Sequence, residues 1–247
     1  MPAALADLHH STRVGGLVEI VLFGGDDDHV ELTRDDFPGR RFSRWPDRLA
    51  TDVLVGAGFS VESVAGTTSG DGLGQLRIRA RRRRSIADTV GAGMVLLVCG
   101  LNPSLYAADR GVGYARPGNR FWPAALAAGL VTRDRDPVHA LAAHGVGMTD
   151  LVKRATRRAA ELSPTEYEAG LGRVGRLVEW LRPGALCVVG LAGWRAAVDP
   201  SAAAGVQPDT LGGRPVYLMP STSGLNAHSG LEDLTDHLRA ARAAASR

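Results

Sequence analysis

Two short, unbroken apolar runs constrain this chain most. Val95-Leu96-Leu97-Val98-Cys99 stops at Gly100, and Leu186-Cys187-Val188-Val189 stops at Gly190. A strand without polar positions shows neither face to water, so such runs belong to parallel sheets covered on both sides. Val216-Tyr217-Leu218-Met219, ended by Pro220, is a third strand. Helical segments separate them. Residues 119–129 read as a helix, with Pro123 tolerated in its first turn. Residues 137–144 form a shorter one. Ser163 caps and Pro164 opens a helix that runs to about Trp180, before Pro183. Gly193 to Val198 is a short helix, and a last one near 230–245 sets Leu231, Leu234 and Leu238 on one face. Strands alternating with helices predict an α/β fold: three α/β/α layers around a central, mostly parallel four-stranded sheet.

The first third of the chain reads differently. Residues 17–24 form a strand ending at Gly24-Gly25, followed by an acidic stretch through Asp36. Leu49, Val53, Leu54 and Val55 have helical spacing from Pro46 to Gly56. Phe59 to Val64 and Gln75 to Arg81 alternate as strands, joined by a Gly/Ser turn from Thr67 to Gly74. Arg81 to Arg84 is a run of like charges, which reads as the solvated end of a unit. The expected organisation is a small α+β segment over residues 1–85 and an α/β domain over 86–247.

Composition removes several classes of function. Cys99 and Cys187 are the only cysteines, and both fall in apolar strands, where they act as small buried hydrophobes. Two cysteines hold neither a disulfide scaffold nor a zinc or iron–sulfur site unaided, so no metal and no cofactor is expected. No apolar run approaches the roughly 18 residues of a membrane span, and residues 1–16 lack a signal-type apolar core. The expected location is the cytoplasm, with no membrane partner. Charge is uneven. Residues 1–79 carry 12 acidic and 8 basic side chains, whereas residues 80–247 carry 14 and 21. The later part therefore holds a net +7, suited to a polyanion. Lys153 is its one lysine, which limits amine chemistry.

Ligands of open α/β sheets bind beyond the carboxyl ends of the strands. Two such ends are rich in polar and turn residues: Gly100-Leu101-Asn102-Pro103-Ser104, and Pro220-Ser221-Thr222-Ser223-Gly224-Leu225-Asn226. Between them lie Tyr114 with Pro117-Gly118-Asn119-Arg120-Phe121-Trp122, and Gly145-Val146-Gly147-Met148-Thr149-Asp150-Leu151-Val152. Each alone reads as turn chemistry. In this order and spacing, over residues 88–246, they resemble the mismatch-specific uracil/thymine branch of the uracil-DNA glycosylase superfamily.

The resemblance implies a monofunctional hydrolase that flips a uracil out of a G·U mispair, cuts its N-glycosidic bond with water and leaves an abasic site. Its partner is double-stranded DNA carrying a mispaired or damaged base, met by a monomer in the nucleoid. Asn102 matches the water-positioning asparagine, whose amide offers both a donor and an acceptor. Tyr114 matches the aromatic that stacks on the flipped base; core packing is its alternative role. Gly100, Leu101, Pro103 and Asn119 match the base pocket, with helix capping the alternative for Asn119. Ala107 and Ala108 match the small pair of thymine-processing members, which leaves room for a 5-methyl group. Ser221, Thr222, Ser223, Gly224 and Asn226 match the loop that grips the phosphate backbone, and Leu225 the wedge that fills the vacated stack. Better-known members carry asparagine or lysine where this chain has Asp150, which is a second water activator or a turn cap. If it lines the pocket, its charge disfavours anionic modified bases.

The order of elements in residues 1–85, with Leu54-Val55-Gly56-Ala57-Gly58-Phe59 before a strand, resembles the C-terminal end of class I methyltransferases that use S-adenosylmethionine. The glycine-rich cofactor loop of that family has no counterpart here, so no methyl transfer is expected. Two other readings remain: a mismatch- or damage-binding module with little turnover, and a methyltransferase remnant.

Overall fold

The computed structural model describes residues 1–26, 30–31, 37, 39–67 and 74–245. Most of the acidic stretch before Asp36 and the turn after Thr67 lie outside the described residues.

The chain opens with α1 (Pro2–Ser11), β1 (Leu17–Gly24), two two-residue strands β2 (Val30–Glu31) and β3 (Arg41–Phe42), α2 (Asp47–Gly56), β4 (Phe59–Thr67) and β5 (Gly74–Arg82). β1, β5 and β4 form an antiparallel sheet in that order. β5 buries Leu76, Ile78 and Ala80 and exposes Arg77, Arg79 and Arg81. The alternation is the period-two signature of a sheet with one wet face. α1 and α2 cover the dry face, where Leu5, Val53, Leu54 and Phe59 are buried with it.

There follow β6 (Leu96–Gly100), α3 (Leu105–Arg110), α4 (Phe121–Ala127), α5 (Pro137–His144), β7 (Val146–Asp150), α6 (Pro164–Leu181), β8 (Ala185–Val189), α7 (Ala192–Ala197), β9 (Gly205–Leu211), β10 (Arg214–Met219) and α8 (Leu231–Ala244). The sheet order is β7-β6-β8-β10-β9. Its first four strands are parallel, and β9 is antiparallel to β10. The sheet thus has five strands and not the four expected. β9 is an edge strand with polar positions and Pro208, and β7 is broken by Gly147 and Thr149, so both lack the unbroken apolar run that betrays β6, β8 and β10.

Successive residues of the buried strands point to opposite layers. Leu96, Val98, Cys187, Val189 and Met219 pack with Phe121 and Trp122 of α4 and Leu234 and Leu238 of α8. Leu97, Cys99, Leu186, Val188 and Leu218 pack with Val174, Leu177 and Val178 of α6 and Trp194 of α7. Both cysteines are free and buried. Burial pushes both thiols well above the ordinary range.

α6 also meets the antiparallel sheet's helices. Arg176 forms a bidentate pair with Asp52 of α2 at 2.5 and 2.9 Å. Trp180 meets Trp45 edge-to-face at 5.6 Å. The arginine run before residue 85 is tied down: Arg81 to Glu62, Arg82 to the Thr12 carbonyl, and Arg84 to Asp109 of α3. No helix is long and apolar enough to cross a membrane among the described residues.

Candidate active site

The carboxyl ends of β6, β7, β8 and β10 surround a cavity of about 210 Å³. This is below the roughly 300–1,000 Å³ of pockets for drug-sized ligands, and suits a smaller guest. Eleven of the fourteen expected site residues line it: Gly100, Leu101, Asn102, Pro103, Ala107, Tyr114, Asn119, Asp150, Ser221, Thr222 and Ser223. Gly224, Leu225 and Asn226 lie outside it on the same loop. Sequence reasoning did not anticipate Ile86, Ser104, Gly113, Arg116, Ala159 and Val189 in the lining.

Asn102 follows β6 directly. Backbone pairing carries on past the strand, with Leu151 N–H donating to Gly100 and Val152 N–H to Leu101. Ser104 then caps α3, its hydroxyl accepting from Ala107 N–H at 3.1 Å. The Asn102 amide nitrogen donates to the Arg154 carbonyl at 2.9 Å, to Thr156 Oγ1 at 2.8 Å and to the Pro103 carbonyl at 3.2 Å. Carbonyls only accept, so the atom facing them must be Nδ2. Oδ1 is left out of these contacts, and the residue lines the cavity. Thr156 is almost wholly buried and is a partner of Asn102 that carries no signal in the sequence.

Tyr114 adopts a left-handed backbone with φ 59°, a rare state for a bulky residue and one typical of functional sites. Its ring stacks on Phe121 with centroids 4.2 Å apart. Core packing and cavity lining are therefore one role here. Its hydroxyl is buried with no protein partner among the described residues. Burial, and then the nearby Asp150 carboxylate, pushes that hydroxyl well above its usual range. A Cβ on Gly100 would fall 2.5 Å from Asp150 Oδ1 and 3.0 Å from Tyr114 Oη. Glycine at this strand end lets both groups close over it.

Asp150 ends β7, its side chain 15% exposed. Burial pushes its carboxyl above the ordinary value, Lys153 pulls it down, and Asp88 pushes it up again. Asn119 accepts from Phe121 N–H at 2.9 Å through Oδ1, so its amide oxygen caps the approach to α4 while its residue also lines the cavity.

The loop after β10 is built around Arg120. Its guanidinium donates to the carbonyls of Ser223 at 2.8 Å, Asn226 at 2.6 Å and Ser229. Its N–H donates to the Thr222 carbonyl at 2.9 Å. Arg120 lies within the Pro117–Trp122 motif, and nothing in its spacing says that it binds a loop a hundred residues away. A Cβ on Gly224 would lie 2.8 Å from the Gly118 carbonyl, so the loop packs tightly against the Tyr114–Arg120 segment. Thr222 is buried, and Asn226 turns inward to the Ser221 carbonyl at 2.8 Å. Leu225, by contrast, is 85% exposed, more than any other large apolar side chain described.

The sequence model of the Uracil DNA glycosylase superfamily matches residues 89–244, which carry all of these elements. The chain belongs to the uracil-DNA glycosylase superfamily. It therefore acts as a DNA glycosylase, a hydrolase of base-excision repair, and its partner is DNA. The matched span starts just after Asp88, so the whole antiparallel sheet lies outside it. Among the described residues of this glycosylase, no group of three or more His, Cys, Asp or Glu side chains could hold a metal ion.

Proposed function

We propose that this glycosylase is monofunctional and mismatch-specific, removing uracil from G·U mispairs. The observation that carries the reading is the Asn102 amide, held through its nitrogen at the cavity wall, which leaves Oδ1 as the acceptor for a bound water. A base in duplex DNA must leave the stack to reach such a cavity. Tyr114 supplies a stacking surface for it, and contacts of this kind contribute about 1–3 kcal/mol per base. Asn102 Oδ1 accepts from a water beside the sugar carbon C1′. The C1′–N bond breaks as the base leaves with the bonding pair, the C1′–O bond forms, and the water's released proton ends on the base. An amide is no strong base, so turnover is modest. Asp150 adds a second polar group to the same wall.

Lys153 supports the monofunctional reading. It lines no part of the base cavity, and its amine is held by Asp88. Leu225 is exposed where a wedge must enter the vacated stack, offsetting part of the few kcal/mol of unstacking. Ser221 and Ser223 border the same loop and would meet the phosphate backbone. Ala107, with its small side chain, leaves room for a thymine methyl. A mispaired uracil leaves the stack more easily than a paired one, which favours G·U over A·U. We read residues 1–85 as a unit without activity of its own, and the whole as a monomer that works on cytoplasmic, nucleoid DNA.

The test is single-turnover cleavage of end-labelled duplexes carrying G·U, A·U, G·T or an unpaired uracil, developed with alkali. The reading expects G·U to be cut fastest. Tight binding of G·U with no cleavage of any duplex would make the chain a mismatch-binding module instead.

A further inference from the structure

The one lysine of the chain lies behind the base cavity, between two carboxylates. Lys153 is buried, 4% exposed in its side chain. Its Nζ donates to Asp88 Oδ1 at 2.7 Å and stands 3.8 Å from Asp150 Oδ2. Asp88 is the better-served partner. It also accepts from Thr149 Oγ1 at 2.7 Å and from Arg173 Nη1 at 2.8 Å. Arg173 meets Asp150 only at its backbone carbonyl, at 2.7 Å. Lys153 is thus the cation within salt-bridge distance of the Asp150 carboxylate among the described residues. The other ionisable groups around that carboxylate are Cys99 on β6 and Tyr114 on the pocket loop, both held neutral by burial.

We propose that Lys153 is a positioning residue shared by two carboxylates, and that Asp88 sets how much of its charge reaches Asp150 in the base cavity. The proposal rests on the reading of that cavity as the base pocket. Asp88 is itself placed by the segment before the matched span. Its N–H donates to the Gly56 carbonyl at the end of α2, at 2.9 Å. A Cβ on Gly56 would collide with Asp88 Oδ2. The seat of the first segment on the glycosylase core thereby fixes the competitor for the lysine.

A shared cation makes a prediction that a merely structural cluster does not. Lys153→Met removes the charge that steadies Asp150, so its carboxyl must titrate at higher pH. Asp88→Asn removes a repelling charge and also releases Nζ toward Asp150, so the carboxyl must titrate at lower pH. That shift must exceed the one the same substitution achieves in a Lys153→Met background, where only the repulsion is lost. A close opposite charge moves a carboxyl by about 1–3 units, so each shift falls in that range or somewhat below it.

The experiment is a ¹³C carboxyl titration of the labelled full-length chain, with Asp150 assigned by the loss of its resonance in Asp150→Asn. Native, Lys153→Met, Asp88→Asn and doubly substituted chains are compared. The pH profile of single-turnover G·U excision is recorded beside them. The expected result is displacement of the Asp150 midpoint in opposite directions, with the excision profile following each. Displacement in the same direction, none, or an Asp88→Asn shift equally large in the Lys153→Met background overturns the proposal. Should Asp88→Asn not fold, Lys153→Met decides alone, because Asp88 then keeps Arg173 and Thr149; an unmoved midpoint overturns the proposal. Opposite shifts without cleavage of any duplex uphold the shared lysine and refute the functional reading of the cavity.

Discussion

At the scale of residues, the proposed mechanism turns on which end of one amide is left to bind water. Asn102 was legible in the sequence because a polar residue after a buried strand and before a proline is unusual, and the motif gave it a role. Its orientation was not legible. That comes from the Arg154 carbonyl and Thr156, more than fifty residues away in sequence. Thr156→Val removes one of these acceptors and keeps the other. A small misplacement of a catalytic group can cost about a hundredfold in rate. Excision by Thr156→Val should fall between about tenfold and a hundredfold, with duplex affinity unchanged, as single-turnover rates and a binding isotherm would show. An unchanged rate would mean that Thr156 does not orient the amide. Arg120 was equally hidden, because its partners are backbone carbonyls that carry no sequence signal.

At the scale of elements, apolar runs located β6, β8 and β10 and the helices with clear caps, but not the buried β7, which Gly147 and Thr149 interrupt. β1, α5 and α6 fall within a residue of their expected ends. α6 has the Ser163–Glu166 capping box that makes a helix start readable. α1, α3 and β9 were missed for the opposite reason: they are short or polar, and neighbours rather than local preference hold them. The loop after β10 combines a rigid base with an exposed tip. Its base is pinned by Arg120, and Leu225 projects from it. An exposed leucine contributes little to the fold, so Leu225→Ala should change unfolding free energy by less than about 0.5 kcal/mol. The same substitution should slow excision from paired uracil more than from an unpaired one, because only the former needs the gap in the stack filled. Equal slowing on both substrates would remove the wedge role.

At the scale of the whole molecule, the early segment and the glycosylase core are joined by buried polar contacts as well as by apolar packing. His9 of α1 is a buried polar group inside the early segment itself. It is 1% exposed, lies against Phe59 and Gly58, and contacts the Arg83 carbonyl at 3.3 Å. Burial, and then the charge of Arg82, lowers its pKa to about 4. Because the unfolded chain binds this proton more readily, the contribution of His9 is full above pH 6.5 and is lost as the pH falls toward 4. The loss is at most about 3 kcal/mol. Urea unfolding at pH 7 and pH 4.5 should show it in the native chain and not in His9→Leu; an equal acid loss in both would acquit His9. The sequence offered no hint of this, since a histidine near a chain start reads as solvated until a helix is seen to bury it. The charge asymmetry was legible as composition. Its consequence was not, because several of the arginines in the run before residue 85 pair with acids or carbonyls inside the protein. The central claim at this scale is that the fold exists to hold one water-orienting amide against a flipped base. It is tested most directly by single-turnover excision from a G·U duplex with Asn102→Ala beside the native chain, and with affinity for the same duplex measured in both. The account predicts a rate lower by about 10²–10⁴, the usual contribution of a positioned proton-handling group, at unchanged affinity. Excision by Asn102→Ala at the native rate would contradict it.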